Sequence, residues 1–282
     1  MVPGQRGQGA LLRHAGVVGN PAAHSLSPAI HRAGYAAVGL NWDYEAFTVA
    51  PADLGSFVRE RLADPAWAGL SVTAPHKEAI LAFGEPDEPT RLLGAGNTLV
   101  FDGGAARIYN TDVPGFVRAW RARGLPAPSS VAIVGNGATA RSIMLAVAGL
   151  GAGDVTLLVR DPARAAKATA LGRDLGLAVG VQLLGESIEQ FDLVANTIPA
   201  AATAPHAEAL AAAAGAVFDV VYDPWPTPLG QAAQLRGIPG LNGLDLLAGQ
   251  AVDQFFLLTG AEVSYDLCRS AAGRELSRRA AL

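Results

Sequence analysis

Cysteine is nearly absent from this chain. Cys268 is the single one in 282 residues, which excludes a disulfide framework and any metal site built from several thiolates. One thiol fits a reducing compartment. Lysine is scarce too: Lys77 and Lys167 stand against many arginines. There is no basic block and the net charge is only -4, so a nucleic-acid partner is not expected. No run of about 20 residues stays apolar, so no segment reads as membrane-spanning. The first ten residues are glycine-rich and polar, without the apolar centre of a signal peptide, and residues 1–12 read as a loose tail. The expected setting is the cytoplasm. The oligomeric state stays open between monomer and homodimer.

What is present is globular. Half of the residues are hydrophobic and 16% are charged, and the length can hold two modest domains with real cores. The most informative stretch is Val131-Ala132-Ile133-Val134-Gly135-Asn136-Gly137-Ala138-Thr139-Ala140-Arg141. It reads as a strand, a glycine turn and a helix running to about Leu150. The pattern G-x-G-x-x-A opens a dinucleotide-binding unit. Gly135 permits the tight turn, Gly137 lets the backbone approach a pyrophosphate, and Ala140 lets the helix pack close to the strand. The helix N-terminus then offers free N–H groups and a positive dipole end. A second apolar strand, Val155 to Val159, follows as the motif requires.

Strands and helices alternate along the chain. Strands are expected at His14–Gly19, Trp42–Val49 and Ala68–Thr73, with helices from Ser27 to Val38, Ala52 to Leu62 and Glu78 to Phe83. Glu85 to Thr90 reads as a polar loop. Gly96–Phe101 and Arg107–Asn110 form a hairpin around Asp102-Gly103-Gly104. A helix over Asp112–Arg123 and a proline-bearing linker lead into a second unit. Its strands fall near 131–135, 155–159, 179–184, 191–196, 216–221 and 237–241, a parallel sheet with helices on both faces. After Gly243 the pattern is wholly helical, over about 244–259 and 264–279. The expected fold is two α/β domains: an N-terminal substrate domain, residues 12–112, completed by the C-terminal helices 244–282, and a Rossmann-like nucleotide domain, 113–243.

Four clusters sit at element ends in the first half. In Ser25-Leu26-Ser27-Pro28 two hydroxyls at a helix mouth can bind a carboxylate, or Ser27 simply caps the helix. Ser71-Val72-Thr73-Ala74-Pro75-His76-Lys77 holds a lysine just past a buried strand, where it can exchange a proton with a hydroxyl. An ordinary surface lysine fits the same pattern, and His76 reads as facing solvent. In Gly94-Ala95-Gly96-Asn97-Thr98 the Asn97 amide could face a cleft or serve a turn. Asn110-Thr111-Asp112 ends where the first unit hands over to the second, the place for an interdomain cleft.

The order of these motifs carries more than any one of them. Ser-x-Ser-Pro, Val-Thr-x-Pro-x-Lys, Gly-Ala-x-Asn-Thr, Asn-Thr-Asp-x-x-Gly and Gly-x-Gly-x-x-x-Arg, followed by Tyr222-Asp223-Pro224 and Gly243-Leu244-Asp245-Leu246-Leu247 with Gln250, resemble the shikimate dehydrogenase family from about residue 14 to 260. The resemblance implies reduction of 3-dehydroshikimate to shikimate with a nicotinamide cofactor. It implies Lys77 and Asp112 as the catalytic pair, and Ser25 and Ser27 on the substrate carboxylate. Thr73, Asn97 and Gln250 would bind ring hydroxyls, with Tyr222 near both substrate and nicotinamide. The cofactor would be held by Gly135, Asn136, Gly137, Ala138, Arg160, Arg164, Thr197 and Gly243. No metal is implied.

Departures from the family pattern bear on the details. Ser71 stands where asparagine is more usual, Gly96 replaces an apolar residue, and Leu246 replaces a common methionine. The phosphate clamp is altered most: it reads Val159-Arg160-Asp161, with Arg164 after it. An acid at this strand end can select NAD by holding the ribose hydroxyls, whereas arginines accommodate the 2′-phosphate of NADP. Asp161 before Pro162 is also a well-formed helix cap. Two arginines and no acid in the Val159 slot favour NADP, with Lys167 expected to add positive field. A dehydrogenase acting on quinate, on both acids or on an aminated analogue is the alternative, as is a nucleotide-binding protein without catalysis. Ser27 favours shikimate, because quinate-preferring relatives often carry threonine there, and intact Lys77 and Asp112 favour an enzyme.

Overall fold

A computed structural model describes residues 12–281; the tail expected over residues 1–12 lies outside the described residues but for Leu12. In chain order the elements are β1 (Arg13–Gly19), α1 (Ser27–Val38), β2 (Trp42–Thr48), α2 (Leu54–Ala63), β3 (Trp67–Val72), β4 (Glu85–Pro86), α3 (Glu88–Leu93), β5 (Thr98–Asp102), β6 (Ala105–Tyr109), α4 (Asp112–Ala122), β7 (Ser130–Val134), α5 (Ala138–Leu150), β8 (Asp154–Val159), α6 (Ala166–Asp174), β9 (Ala178–Leu183), β10 (Leu193–Asn196), α7 (Ala200–Thr203), α8 (Ala207–Ala212), β11 (Val217–Asp219), α9 (Pro228–Leu235), β12 (Gly240–Asn242), α10 (Gly243–Thr259) and α11 (Tyr265–Ala280).

The strands form two six-stranded sheets. The first runs β2-β1-β3-β5-β6-β4. Its β1, β2 and β3 are parallel, while β5 pairs antiparallel with both β3 and β6. The second runs β12-β11-β10-β7-β8-β9 and is parallel throughout. Counted from its own first strand this is the order 6-5-4-1-2-3 of a dinucleotide-binding sheet, so the crevice for a ligand falls at the carboxyl ends of β7 and β10. Its central strands β7, β8 and β10 are largely apolar because both faces are covered: α5 and α6 pack on one face, α8 and α9 on the other.

The expected strands are all present, with ends shifted by up to three residues. The polar loop expected at Glu85–Thr90 is instead structured. Glu85 and Pro86 pair with β6, and Asp87 caps α3 by accepting from the Thr90 amide at 2.9 Å. Pro89 in the first turn suits a helix start. The segment expected as a helix over Glu78–Phe83 is a tighter 3-10 turn over Ala79–Phe83.

The two closing helices return to the first sheet. Leu244, Ala248 and Ala251 of α10 and Cys268 and Ala272 of α11 share a core with Ile30 of α1 and with Leu26 just before it. Helices α4 and α10 cross with their backbones in contact. A Cβ on Gly249 would run into the Gly115 carbonyl, and one on Gly115 would meet the Gln250 amide nitrogen. Arg118 locks the crossing by donating to the Gly249 carbonyl at 2.9 Å and pairing with Asp253 through both guanidinium nitrogens at 2.6 and 3.0 Å. This crossing sets the distance between Asp112, at the start of α4, and Gln250. A Gly249→Ala chain is expected to lose about 1–3 kcal/mol of stability. Alanine's better helix propensity, about 1 kcal/mol, offsets only part of a clash with main chain. Urea unfolding of the two chains measures it, and equal midpoints would show slack at the crossing.

Candidate active site

A cavity of about 310 Å³ lies between the two sheets. Ser25, Ser27, Ser71, Thr73, Lys77, Asp112, Gln250 and Gln254 line it from one side; Thr139, Val220, Tyr222, Gly243 and Leu246 line it from the other. Its centre is an ion pair. The Lys77 ammonium donates to Asp112 Oδ2 at 2.5 Å. The Asp112 side chain is 1% exposed and that of Lys77 14%, so the carboxylate is almost fully desolvated and the ammonium keeps a face on the cavity.

Each partner is fixed from a different part of the chain. Gly96 N–H donates to the Lys77 carbonyl at 2.8 Å, tying the turn after β3 to the start of β5. Asp112 begins α4, but Thr111 occupies the cap position and no side chain caps there. The carboxylate therefore caps no helix, and both of its oxygens are left for the site. Asn97 Nδ2 donates to Asp112 Oδ1 at 3.0 Å and lies 2.8 Å from Gln250 Oε1 and 3.0 Å from Thr111 Oγ1. Its Oδ1 accepts from the Thr111 amide at 2.8 Å and from the hydroxyls of Thr98 and Thr111. Asn97 has no exposed surface and does not line the cavity. It stands behind Asp112 and Gln250 rather than beside them.

The serine loop also departs from its expected form. Ser27 opens α1 without capping it; Leu26 holds the cap position. Instead Ser25 Oγ accepts from the Ser27 amide at 3.2 Å. The buried Tyr44 hydroxyl donates to Ser71 Oγ at 2.7 Å and also interacts with Ser27. Tyr44 on β2, and Gln254 one turn beyond Gln250 on α10, were not foreseen. For Gln254 the i, i+4 spacing was a usable signal; for Tyr44 no local pattern existed. His76 is buried, not solvent-facing, because the turn folds back far enough for its Nε2 to bond the Val49 carbonyl at 2.8 Å.

A wider cleft of about 750 Å³ adjoins this cavity. It is lined by Lys77, Glu78, Gly137, Ala138, Thr139, Thr197, Ile198, Val220 and Val221. Gly135 has φ +112°, and a side chain there would collide with Thr197 and Ile198. A Cβ on Gly137 would meet nothing within 4 Å, so the α5 N-terminus opens onto free space, as a pyrophosphate needs. Farther along, a recess of about 140 Å³ is lined by Gly135, Asn136, Val159, Arg160, Asp161 and Arg164. Asn136 Nδ2 donates to the Arg164 carbonyl at 2.7 Å and so shapes this recess. Arg160 and Arg164 have no acidic partner among the described residues, whereas Asp161 Oδ1 accepts from the Ala163 amide at 3.0 Å as a helix cap. The acid is in structural use and the arginines are free, a donor set that fits a 2′-phosphate.

One basic residue acts otherwise than foreseen, and a second has partners that no expectation covered. Lys167 adds no free field to the recess, because its ammonium reaches Glu78 at 3.1 Å. Arg141 donates to the Leu93 carbonyl at 2.9 Å and to Glu78 at 2.6 Å. Both therefore tie the second sheet's helices to the residue next to Lys77. At the far side, Asp219 accepts from Asn196, Thr227 and the Val221 amide and frames the loop that carries Tyr222.

Known proteins resemble this chain along most of its length. Residues 17–99 match the family model described as shikimate dehydrogenase substrate binding domain. A shikimate dehydrogenase (NADP(+)) of Methanothermobacter thermautotrophicus is 35% identical over 275 residues, covering 93% of this chain and 96% of the relative. The chain belongs to the shikimate dehydrogenase family. The crystal structure of Mycobacterium tuberculosis shikimate dehydrogenase superposes with a TM-score of 0.84 at 35% identity, over 93% of this chain and 99% of that one. A Thermus thermophilus shikimate 5-dehydrogenase in complex with NADP(H) and shikimate superposes with a TM-score of 0.80 at 29% identity, over 93% and 99%.

One buried group of this family member makes stability pH-dependent. His31 lies one turn after Ser27 in α1, its ring stacked on Tyr44 at 4.2 Å and flanked by Tyr35 and Phe255. Neither ring nitrogen has a partner, the nearby Gln254 amide being committed to the Asn97 carbonyl and Thr98 hydroxyl. Burial pushes the His31 pKa down to about 3 against a smaller opposing contribution from Gln254. The unfolded chain, titrating near 6.5, therefore takes up this proton first. Its contribution is full above about pH 6.5 and is lost as the pH falls towards about 3. Between pH 6.5 and 5 the unfolding free energy is expected to fall by up to about 1.4 kcal/mol per pH unit through this group. A His31→Phe chain should show a flatter slope over the same window; coincident slopes would refute the assignment.

Proposed function

We propose that this chain is a shikimate dehydrogenase, reducing 3-dehydroshikimate reversibly to shikimate with NADPH in aromatic amino-acid biosynthesis. The observation that carries the reading is the Lys77–Asp112 pair, facing one cavity between a serine loop and the cleft of a glycine turn. Substrate binding falls to residues 12–112 with 244–282, and cofactor binding to 113–243. The enzyme works in the cytoplasm on a small molecule, as a monomer or homodimer. No helix among the described residues is long and apolar enough to cross a membrane.

The bound nicotinamide supplies the hydride that reduces the substrate carbonyl. This chain's residues manage the charge and the proton. As the carbonyl oxygen becomes negative, the Lys77 ammonium stabilises it and delivers the proton, in a site where few water dipoles compete. Asp112 orients that ammonium and accepts from a substrate hydroxyl. Ser25 and Ser27 bind the substrate carboxylate, and Thr73 and Gln250 take ring hydroxyls. Asn97 works through Asp112 and Gln250, both of which it bonds. Tyr222 and Gly243 bound the cavity beside the nicotinamide position. Gly135, Gly137, Ala138 and Thr197 line the diphosphate path, with Asn136 shaping the recess where Arg160 and Arg164 take the 2′-phosphate.

Lys77→Ala is expected to lower kcat by about 10²–10⁴-fold with the fold retained by circular dichroism, while the thermal transition falls because the buried Asp112 carboxylate loses its cation. Initial rates with shikimate and quinate against NADP⁺ and NAD⁺ test the assignment; no turnover of either acid with either cofactor would remove it. For the cofactor, Arg160→Ala should raise KM for NADPH by about tenfold or more, the loss of a charge-assisted hydrogen bond, and change KM for NADH little. Equal losses with the two cofactors would mean that Arg160 does not meet the 2′-phosphate.

A further inference from the structure

The serine loop is held from behind by a residue far away in sequence. Arg279, in the last turn of α11, donates through Nη1 to the His24 carbonyl at 2.8 Å and through Nη2 to the Ser25 carbonyl at 3.1 Å. The third side of the guanidinium is anchored as well, its Nε donating to Glu275 Oε1 at 2.8 Å. Glu275 also takes two hydrogen bonds from Arg278. Arg278 and Arg279 together hold its carboxyl down to about 2, so it stays charged at any working pH. A planar guanidinium with one edge on a carboxylate and two nitrogens on consecutive carbonyls has little rotational freedom.

The consequence lies in the loop. Consecutive carbonyls drawn to one rigid cation fix the peptide planes on both sides of Ser25. Ser25 Oγ in turn accepts from the Ser27 amide, so the Ser25 side chain is tied to the main chain at Ser27. Helix α11 packs along α1 through Cys268, Ala272, Leu26 and Ile30, which keeps the clamp in reach of the loop. The guanidinium lines one recess with Tyr222, whose phenol it acts on electrostatically against the effect of burial. It therefore stands between the two loops that flank one end of the cavity.

We propose that Arg279 is a positioning residue for substrate recognition: it sets the Ser25–Ser27 loop in its binding geometry through the His24 and Ser25 carbonyls and adds positive field at the cavity end that takes the substrate's carboxylate. The proposal rests on the reading that Ser25 and Ser27 bind that carboxylate. Arg279 makes no contact with Lys77 or Asp112 and lies away from the arginine recess. Its effect therefore belongs in KM for the acid substrate, not in kcat or in KM for the cofactor.

Steady-state kinetics with shikimate and NADP⁺ test this in Arg279→Ala, Arg279→Lys, Glu275→Gln, Ser25→Ala, Ser27→Ala and the Ser25→Ala/Arg279→Ala double variant. Arg279→Ala should raise KM for shikimate about tenfold, the loss expected for charge-assisted hydrogen bonds, with kcat and KM for NADP⁺ within about twofold. Arg279→Lys should recover part of that loss, because it keeps the charge and one donor. The double variant should lose less than the product of the two single effects, because both act on one loop. Should Arg279→Ala fail to fold, Glu275→Gln, which keeps the guanidinium but neutralises its anchor, should raise the same KM by a smaller factor. The proposal is overturned if the serine variants raise KM for shikimate while Arg279→Ala and Glu275→Gln leave it unchanged. It is equally overturned if kcat and the thermal transition fall while both KM values rise together, the mark of a general structural role. Serine variants with unaltered KM would instead refute the carboxylate reading itself, and this proposal with it.

Discussion

A carboxylate that has lost nearly all its water must be given its partners by the protein, and Asp112 is placed under that constraint. An unpaired buried charge costs several kcal/mol, so the fold here is acceptable only if a cation and a hydrogen-bond donor reach the same point. Lys77 comes from the turn after β3, Asn97 from the approach to β5, and Asp112 from the start of α4. Gln250 joins from α10, 138 positions along the chain from Asp112, through the same Asn97 amide. The closing helices are thus required by the site as well as by the core. Without the α4–α10 crossing at Gly115 and Gly249, neither Gln250 nor the wall beside Leu246 would be in reach.

The same economy of contacts explains why cofactor and substrate groups lie on different sheets. The parallel sheet offers what a phosphate needs: main-chain donors at a helix N-terminus and a glycine turn with room beside it. Among the described residues it carries no ammonium–carboxylate pair over its crevice like that of Lys77 and Asp112. The first sheet supplies those groups from the loops at its strand ends. Chemistry at the boundary then depends on how the two sheets are held against each other, and the contacts that hold them lie close to Lys77.

Much of this was legible in the chain, and the limits have physical causes. Period-2 and period-3.6 patterning located the strands and long helices because those elements bury continuous faces. The glycine turn was legible because Gly135 needs a positive φ that other residues resist. Short elements were not: α3 depends on one Asp87 cap and one proline, and its residues carry no periodic face. Burial of His76 and the partners of Arg141 and Lys167 were also hidden. Each is decided by an acceptor 27 or more positions away, about which a local pattern says nothing. Lys77 and Asp112 were legible only through motif order, since either alone looks like an ordinary surface lysine or helix start. Asp161 was ambiguous for a similar reason: a cap and a ribose ligand look alike until the Ala163 amide is seen to occupy it.

Glu78 decides how rigidly the halves are joined, and its two partners contribute unequally. The Lys167 pair is half exposed on both sides, and such pairs contribute about 0–1 kcal/mol and weaken with salt. Arg141 is different: its side chain is 3% exposed, and it also satisfies the Leu93 carbonyl at the end of α3. A buried guanidinium with two acceptors, both on the other half of the molecule, cannot leave them without stranding its charge. The Asn110–Ser142 hydrogen bond at 3.1 Å stands beside it, two residues before Asp112 and one after Arg141. The fixed point between the sheets is therefore the N-terminal half of α5 against α3 and the approach to α4, and the outer edge at Lys167 is the weaker side. A cleft held in this way keeps the glycine turn in register with Lys77 and Asp112 at the pivot.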